Sequence, residues 1–151
     1  MNMKKLSIAL TTLFGIGLLI FNSCGTVPIT GRRQLNLVSD GEILAASATQ
    51  YRQFISKSQL SHNSTYNNKV TQVGRRLAAA TNIYLKQNGY ESMLSTLSWE
   101  FNVVDSKQVN AFCMPGGKIV VYTGLLNLVG NGGHSDDELA AVMGHELSHA
   151  L

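Results

Sequence analysis

Apolar residues recur along this chain with two different periods, and the change of period divides it into elements. Leu44, Ala48, Tyr51 and Ile55 stand three or four positions apart. That spacing predicts a helix over residues 40–57 with a single apolar stripe. Ser39-Asp40-Gly41-Glu42 at its start has the form of a capping box. A polar stretch, residues 58–68, separates it from a second helical stripe, Val70, Val73, Leu77, Ala80 and Tyr84, which Gly89 closes. From Ser98 the period falls to two. Trp99, Phe101 and Val103 alternate with Glu100, Asn102 and Val104, the pattern of a half-buried strand. Residues 109–114 and the β-branched run Lys118–Tyr122 predict two more strands, joined by a Pro115-Gly116-Gly117 turn. A short helix over 124–129 and a glycine-rich loop over 130–133 follow. Ser135-Asp136-Asp137-Glu138 then opens a last helix, 136–151, with Leu139, Val142, Met143 and Ala150 at apolar positions. The expected class is α+β: helices flanking a small, mainly antiparallel sheet, with this last helix at the C-terminal end. No capping residue follows Leu151, so the expectation is of a domain truncated after this helix, whether as a fragment or as a natural short protein.

The N-terminus has a pattern of its own. Lys4 and Lys5 precede an apolar run from Leu6 to Phe21, which ends at Ser23-Cys24-Gly25. The run is short of the ~20 residues that span a bilayer, and its basic-then-apolar order is that of a secretory leader. A cysteine directly after such a run predicts a bacterial lipoprotein, cleaved before Cys24 and lipidated there. Phe21-Asn22-Ser23 departs from the usual small-residue cleavage box, so an ordinary secretory signal or an uncleaved anchor stays open. The expected organisation is a signal peptide over 1–23, a linker over 24–38 broken by Pro28 and Gly31, and one domain over 39–151.

Composition changes the picture little. The formal charge is +3. Without residues 1–23, ten basic and nine acidic residues remain, a net of +1. No polyelectrolyte surface is implied, and no nucleic-acid partner is expected. The two cysteines are Cys24 and Cys113. With Cys24 lipidated, Cys113 has no partner for a disulfide and reads as a small core residue.

The chemistry concentrates in His145-Glu146-Leu147-Ser148-His149. Residues four apart on a helix differ by only ~40° around its axis. His145 and His149 therefore point the same way and suit one zinc ion. Glu146 is turned ~100° from His145, a position that suits a general base acting on a water near the metal better than it suits a third ligand. Apolar neighbours on both sides place the motif in a mostly buried helix, where two histidines and a glutamate need partners. His62 and His134 lie in polar segments and are not read as ligands.

The stretch Val109-Asn110-Ala111-Phe112-Cys113-Met114-Pro115-Gly116-Gly117-Lys118-Ile119-Val120-Val121-Tyr122-Thr123-Gly124-Leu125-Leu126, followed by Asp137-Glu138-Leu139-Ala140-Ala141-Val142-Met143-Gly144-His145-Glu146-Leu147-Ser148-His149, resembles the core of the HtpX/LoiP/BepA-type zinc metallopeptidases. The same family contains the CAAX prenyl proteases and the Oma-type proteases. Val27-Pro28-Ile29-Thr30-Gly31-Arg32-Arg33-Gln34-Leu35 resembles the start of its lipoprotein members. The resemblance implies a gluzincin, an incomplete zincin-like domain in this chain. His145 and His149 would be zinc ligands, Glu146 the catalytic base, and a glutamate from a later helix the third ligand. Glu138 is ~10 Å from His145 along the same helix and does not readily stand in. Asn110, Ala111 and Phe112 match the strand that borders the cleft and pairs with an extended substrate.

The reading is thus a zinc metalloendopeptidase of the bacterial cell envelope. It would be lipid-anchored at Cys24, face the periplasm and cleave misfolded or damaged polypeptides. The alternative is an inactive truncated lipoprotein acting as a binding or chaperone-like module. Oligomeric state is not legible. The leader pattern makes one direct prediction. Mass spectrometry of the protein extracted from membranes should find a chain beginning at acylated Cys24. A chain that still begins at Met1, or a free thiol at Cys24, would overturn the anchor.

Overall fold

A computed structural model describes residues 24–26, 33–35, 38–129 and 135–151. The expected signal peptide, the glycine-rich loop and His134 lie outside the described residues. The chain divides into two units, Met1–Ser39 and Asp40–Leu151. In the first, β1 (Cys24–Thr26) pairs antiparallel with β2 (Arg33–Leu35), Cys24 opposite Leu35. Among the described residues no helix is long and apolar enough to cross a membrane.

The second unit holds, in order, α1 (Asp40–Lys57), α2 (Ser64–Gln87), α3 (Glu91–Leu94), β3 (Glu100–Val104), β4 (Ala111–Met114), β5 (Lys118–Tyr122), α4 (Thr123–Val129) and α5 (Ser135–Ser148). The class is α+β, as the periodicity predicts. Helix α2 begins earlier than its apolar stripe, because Asn63 caps it: the Asn63 side chain accepts a hydrogen bond from the Tyr66 amide at 3.2 Å. It ends in a Schellman turn, with the Tyr90 amide donating to the Leu85 carbonyl at 2.8 Å around Gly89 at φ +78°.

The sheet order is β3-β5-β4. The β4–β5 hairpin is antiparallel, with Ala111 opposite Val121 and Cys113 opposite Ile119. Strand β3 instead runs parallel to β5, Glu100 opposite Lys118 and Val104 opposite Tyr122. The sheet is therefore mixed. The strand that follows β3 in sequence is not its neighbour; β5 lies between them and is hydrogen-bonded on both sides.

Alternation sorts the side chains of the sheet into two layers. On one face Val103, Ala111, Ile119 and Val121 join Val70 and Val73 of α2, Leu125 and Leu126 of α4, and Leu139, Met143 and Leu147 of α5. On the other face Val104 and Val120 meet Tyr51 of α1, with Phe54, Ile55, Phe112, Met114 and Tyr122 around them. Helix α5 packs on α2: Asp136 is bridged to Lys69 at 3.0 Å, and a Cβ on Gly144 would lie 3.8 Å from Leu77.

Tyr51 ties α1 to the sheet by its polar end as well. The Asn102 side-chain amide donates to its hydroxyl at 2.6 Å. Burial pushes the Tyr51 hydroxyl up from 10.0 to about 12; the Asn102 bond opposes the rise and the nearby Glu100 carboxylate adds to it. The folded state therefore keeps this proton at pH values where the unfolded chain has lost it. The stabilising effect is complete below pH 10.0 and is lost as pH rises through about 12. Urea titrations should show stability falling across that window, and Tyr51→Phe should flatten this component. An unchanged pH slope in the variant would remove Tyr51 from the alkaline transition.

Candidate active site

Helix α5 is fixed in rotation by its core stripe. Leu139 and Met143 are fully buried and Leu147 nearly so, each four residues from the next. Positions 145 and 149 fall on the far side of that stripe, and both histidines are exposed. Position 146 falls beside it, and Glu146 is half-buried. Regular helix stops at Ser148, short of the expected end. The His149 amide donates to the Glu146 carbonyl at 3.1 Å and the Ala150 amide to the Leu147 carbonyl at 3.0 Å, a tighter i to i−3 turn. The Ser148 hydroxyl donates to the His145 carbonyl at 2.6 Å. Even so, the two imidazoles stay together, with ring centroids 4.9 Å apart and planes at 88°.

That separation tests whether a metal fits. Two imidazoles held by one tetrahedral zinc at ~2.0–2.1 Å have centroids about 5 Å apart. The pair thus offers two nitrogen donors at a suitable spacing. Among the described residues no group of three or more His, Cys, Asp or Glu could hold a metal ion. His62 is exposed in the segment before α2, outside both core clusters.

Glu146 lies within electrostatic reach of β4. The sign of this is Cys113, half-buried against the core under α5. Burial pushes its thiol up to about 12, and the neighbouring Glu146 carboxylate adds to the rise. Cys113 is therefore a protonated wall of the site. Cys113 packs on the core, as its apolar surroundings in the sequence predict, and β4 alternation puts it on the same face as Ala111.

Strand β4 is an edge strand of its sheet. The Tyr122 amide donates to the Asn110 carbonyl at 3.0 Å. By the antiparallel register, Phe112 and Met114 also turn their backbone groups to β5, opposite Val120 and Lys118. Ala111 and Cys113 turn theirs outward. Of the three residues matched to the cleft strand, Ala111 presents backbone to the open edge, whereas Asn110 and Phe112 bond inward.

The start of β4 is clamped by α4. The Thr123 hydroxyl bonds both the amide and the carbonyl of Ser106 at 3.0 Å, and the Gly124 amide donates to that carbonyl at 2.8 Å. A Cβ on Gly124 would lie 2.4 Å from the Gln108 carbonyl oxygen and 2.5 Å from that of Lys107.

A model of the family described as Peptidase family M48 matches residues 64–151, from α2 through the histidine pair. The chain belongs to Peptidase family M48. M48 relatives bear this out with names of a common activity. The chain is 52% identical over 66 residues to mitochondrial metalloendopeptidase OMA1 of Arabidopsis thaliana, 44% of this chain and 13% of the relative. It is 32% identical over 142 residues to the OMA1 metalloendopeptidase of Danio rerio, 92% of this chain and 27% of that one. Metalloprotease LoiP of Escherichia coli (strain K12) is 43% identical over 49 residues, 32% of this chain and 18% of the relative. The chain thus spans about a quarter or less of the length of these curated relatives.

Because backbone carbonyls of residues 107 and 108 lie against Gly124, that position can be tested directly. Gly124→Ala gains about 1 kcal/mol of helix propensity and is expected to lose about 1–3 kcal/mol to overpacking. The melting temperature should fall, and amide exchange at Asn110 and Ala111 should quicken. A variant as stable as the parent, with unchanged exchange, would show that the loop yields freely and does not hold β4.

Proposed function

We propose that this M48 chain carries the zinc-binding part of a bacterial envelope metalloendopeptidase. The observation that carries the reading is the arrangement on α5: two exposed imidazoles with centroids 4.9 Å apart, and a half-buried carboxylate one residue on from the first. His145 and His149 would hold a zinc ion. Zinc, when bound, supplies Lewis acidity toward a water and the scissile carbonyl. Glu146 takes the water's proton and passes it toward the leaving amine. Ala111 and Cys113 hold the substrate backbone as an added strand, with Asn110 fixing where that edge begins.

Backbone pairing supports a substrate class. It reads an extended segment, not a folded surface, and extended segments are available in misfolded or damaged proteins. The basic-then-apolar leader supports a periplasm-facing protein lipidated at Cys24. The non-catalytic alternative, a lipoprotein that grips exposed strands, would use the same edge.

Measured on the protein as its gene encodes it, Glu146→Gln should abolish chelator-sensitive casein cleavage and leave zinc content unchanged. The amide keeps the shape of the carboxylate but takes no proton at neutral pH. His149→Ala should lose both. Casein cleavage that survives Glu146→Gln would exclude the base role. Zinc loss in Glu146→Gln would make that residue a ligand. Edge binding without cleavage by the parent would favour the alternative.

A further inference from the structure

The open edge of β4 has two faces, and they differ in character. Ala111 and Cys113 put small side chains on the face shared with α5. Phe112 and Met114 put large ones on the face shared with α1. Phe112 is half-buried and held edge-on to two other rings: Phe54 of α1, centroids 5.2 Å apart at 83°, and Tyr122 of β5, 6.3 Å apart at 88°. Phe112 therefore stands at a strand edge with its ring braced from behind and beside.

The register decides what meets that ring. A peptide strand laid on β4 bonds to the outward groups of Ala111 and Cys113. Its residue between those contacts lies opposite Phe112, which bonds inward to Val120. In an antiparallel pair this is the non-hydrogen-bonded position, where side chains come closest. Directly opposite residues share a face, so that peptide side chain lies against Phe112 on the α1 side. Its neighbours in the peptide lie on the side of Glu146. Alternation of faces holds whichever way the peptide runs.

We propose that Phe112, braced by Phe54 and Tyr122, is a specificity-determining residue that selects an aromatic or large aliphatic side chain at the peptide position paired with it. The proposal rests on the reading of β4 as the substrate-binding edge. The selected residue lies across the sheet from the catalytic carboxylate, so selection and bond cleavage are separable.

The test is binding of short Ser/Thr-rich peptides with a central Phe, Leu, Thr or Asp, followed by fluorescence anisotropy with the full chain and zinc present. Cross-strand pairs with an aromatic residue contribute about 0.2–1 kcal/mol, so the Phe and Leu peptides should bind about 1.4- to five-fold tighter than the Thr peptide. Phe112→Val should bring that ratio close to one, and Phe54→Leu should reduce it, in variants whose circular dichroism matches the parent. With benzoylphenylalanine as the central residue, photo-cross-links should map to Phe54, Phe112 or Met114.

Equal binding of all four peptides, a ratio unchanged by Phe112→Val, or cross-links on α5 would each overturn the proposal. N-methylation of the peptide residues flanking the central one separates the two levels. If it abolishes binding while the central side chain is indifferent, the edge reading stands and Phe112 selects nothing. If it has no effect, or no peptide binds, the edge reading fails and the proposal fails with it.

Discussion

The site depends on one packing constraint, the burial of Leu139, Met143 and Leu147 between the sheet and α2. A helix with three apolar residues at intervals of four cannot rotate without exposing them, and each large aliphatic side chain resists exposure by ~1.5–3 kcal/mol. Once that stripe is seated, helical geometry leaves no choice about the others. Positions 145 and 149 face out, and position 146 falls beside the stripe, near enough to Cys113 of β4 for its charge to be felt there. The metal-type donors are therefore aligned by residues that never touch them.

The sheet supplies the second part of the arrangement. Strand β5 is buried on both faces, with Ile119, Val120 and Val121 all fully covered, and is bonded on both sides. It carries β4 as its outer neighbour, and β4 carries Ala111 and Cys113 to the edge beside Glu146. The Thr123 and Gly124 contacts to residues 106–108 fix where β4 begins, so the loop leading into the edge is as determined as the strand. Helix α1 closes the opposite face through Tyr51, Phe54 and Ile55.

Much of this was legible in the chain. The 40–57 helix and the histidine helix follow from their apolar period, because each buries one stripe, and the Lys118–Tyr122 strand follows from its β-branched run, buried on both faces. The two histidines could be placed on one face before any fold was known, since a spacing of four is a local property. What was not legible was non-local. The parallel pairing of β3 with β5 leaves no mark in either strand, as both pairings have period two. Cys113 is spaced like any core residue, and its nearness to Glu146 arises only when α5 packs on β4. The end of α5 is also not in the pattern: the i to i−3 bonds of His149 and Ala150 tighten a turn whose side chains still fit a regular helix.

An edge strand open to a peptide is open to a second copy of itself, and such edges are a route to aggregation. Here the opening is narrow. Only Ala111 and Cys113 present outward backbone groups within β4, and Pro115 directly after the strand has no amide to extend the ladder. Under the proposed edge reading, two residues of pairing would orient a peptide whose side chains add their own contacts. They are too few to knit identical chains into a lasting sheet. The shortness of β4 thus limits how much of this edge a second copy could pair with.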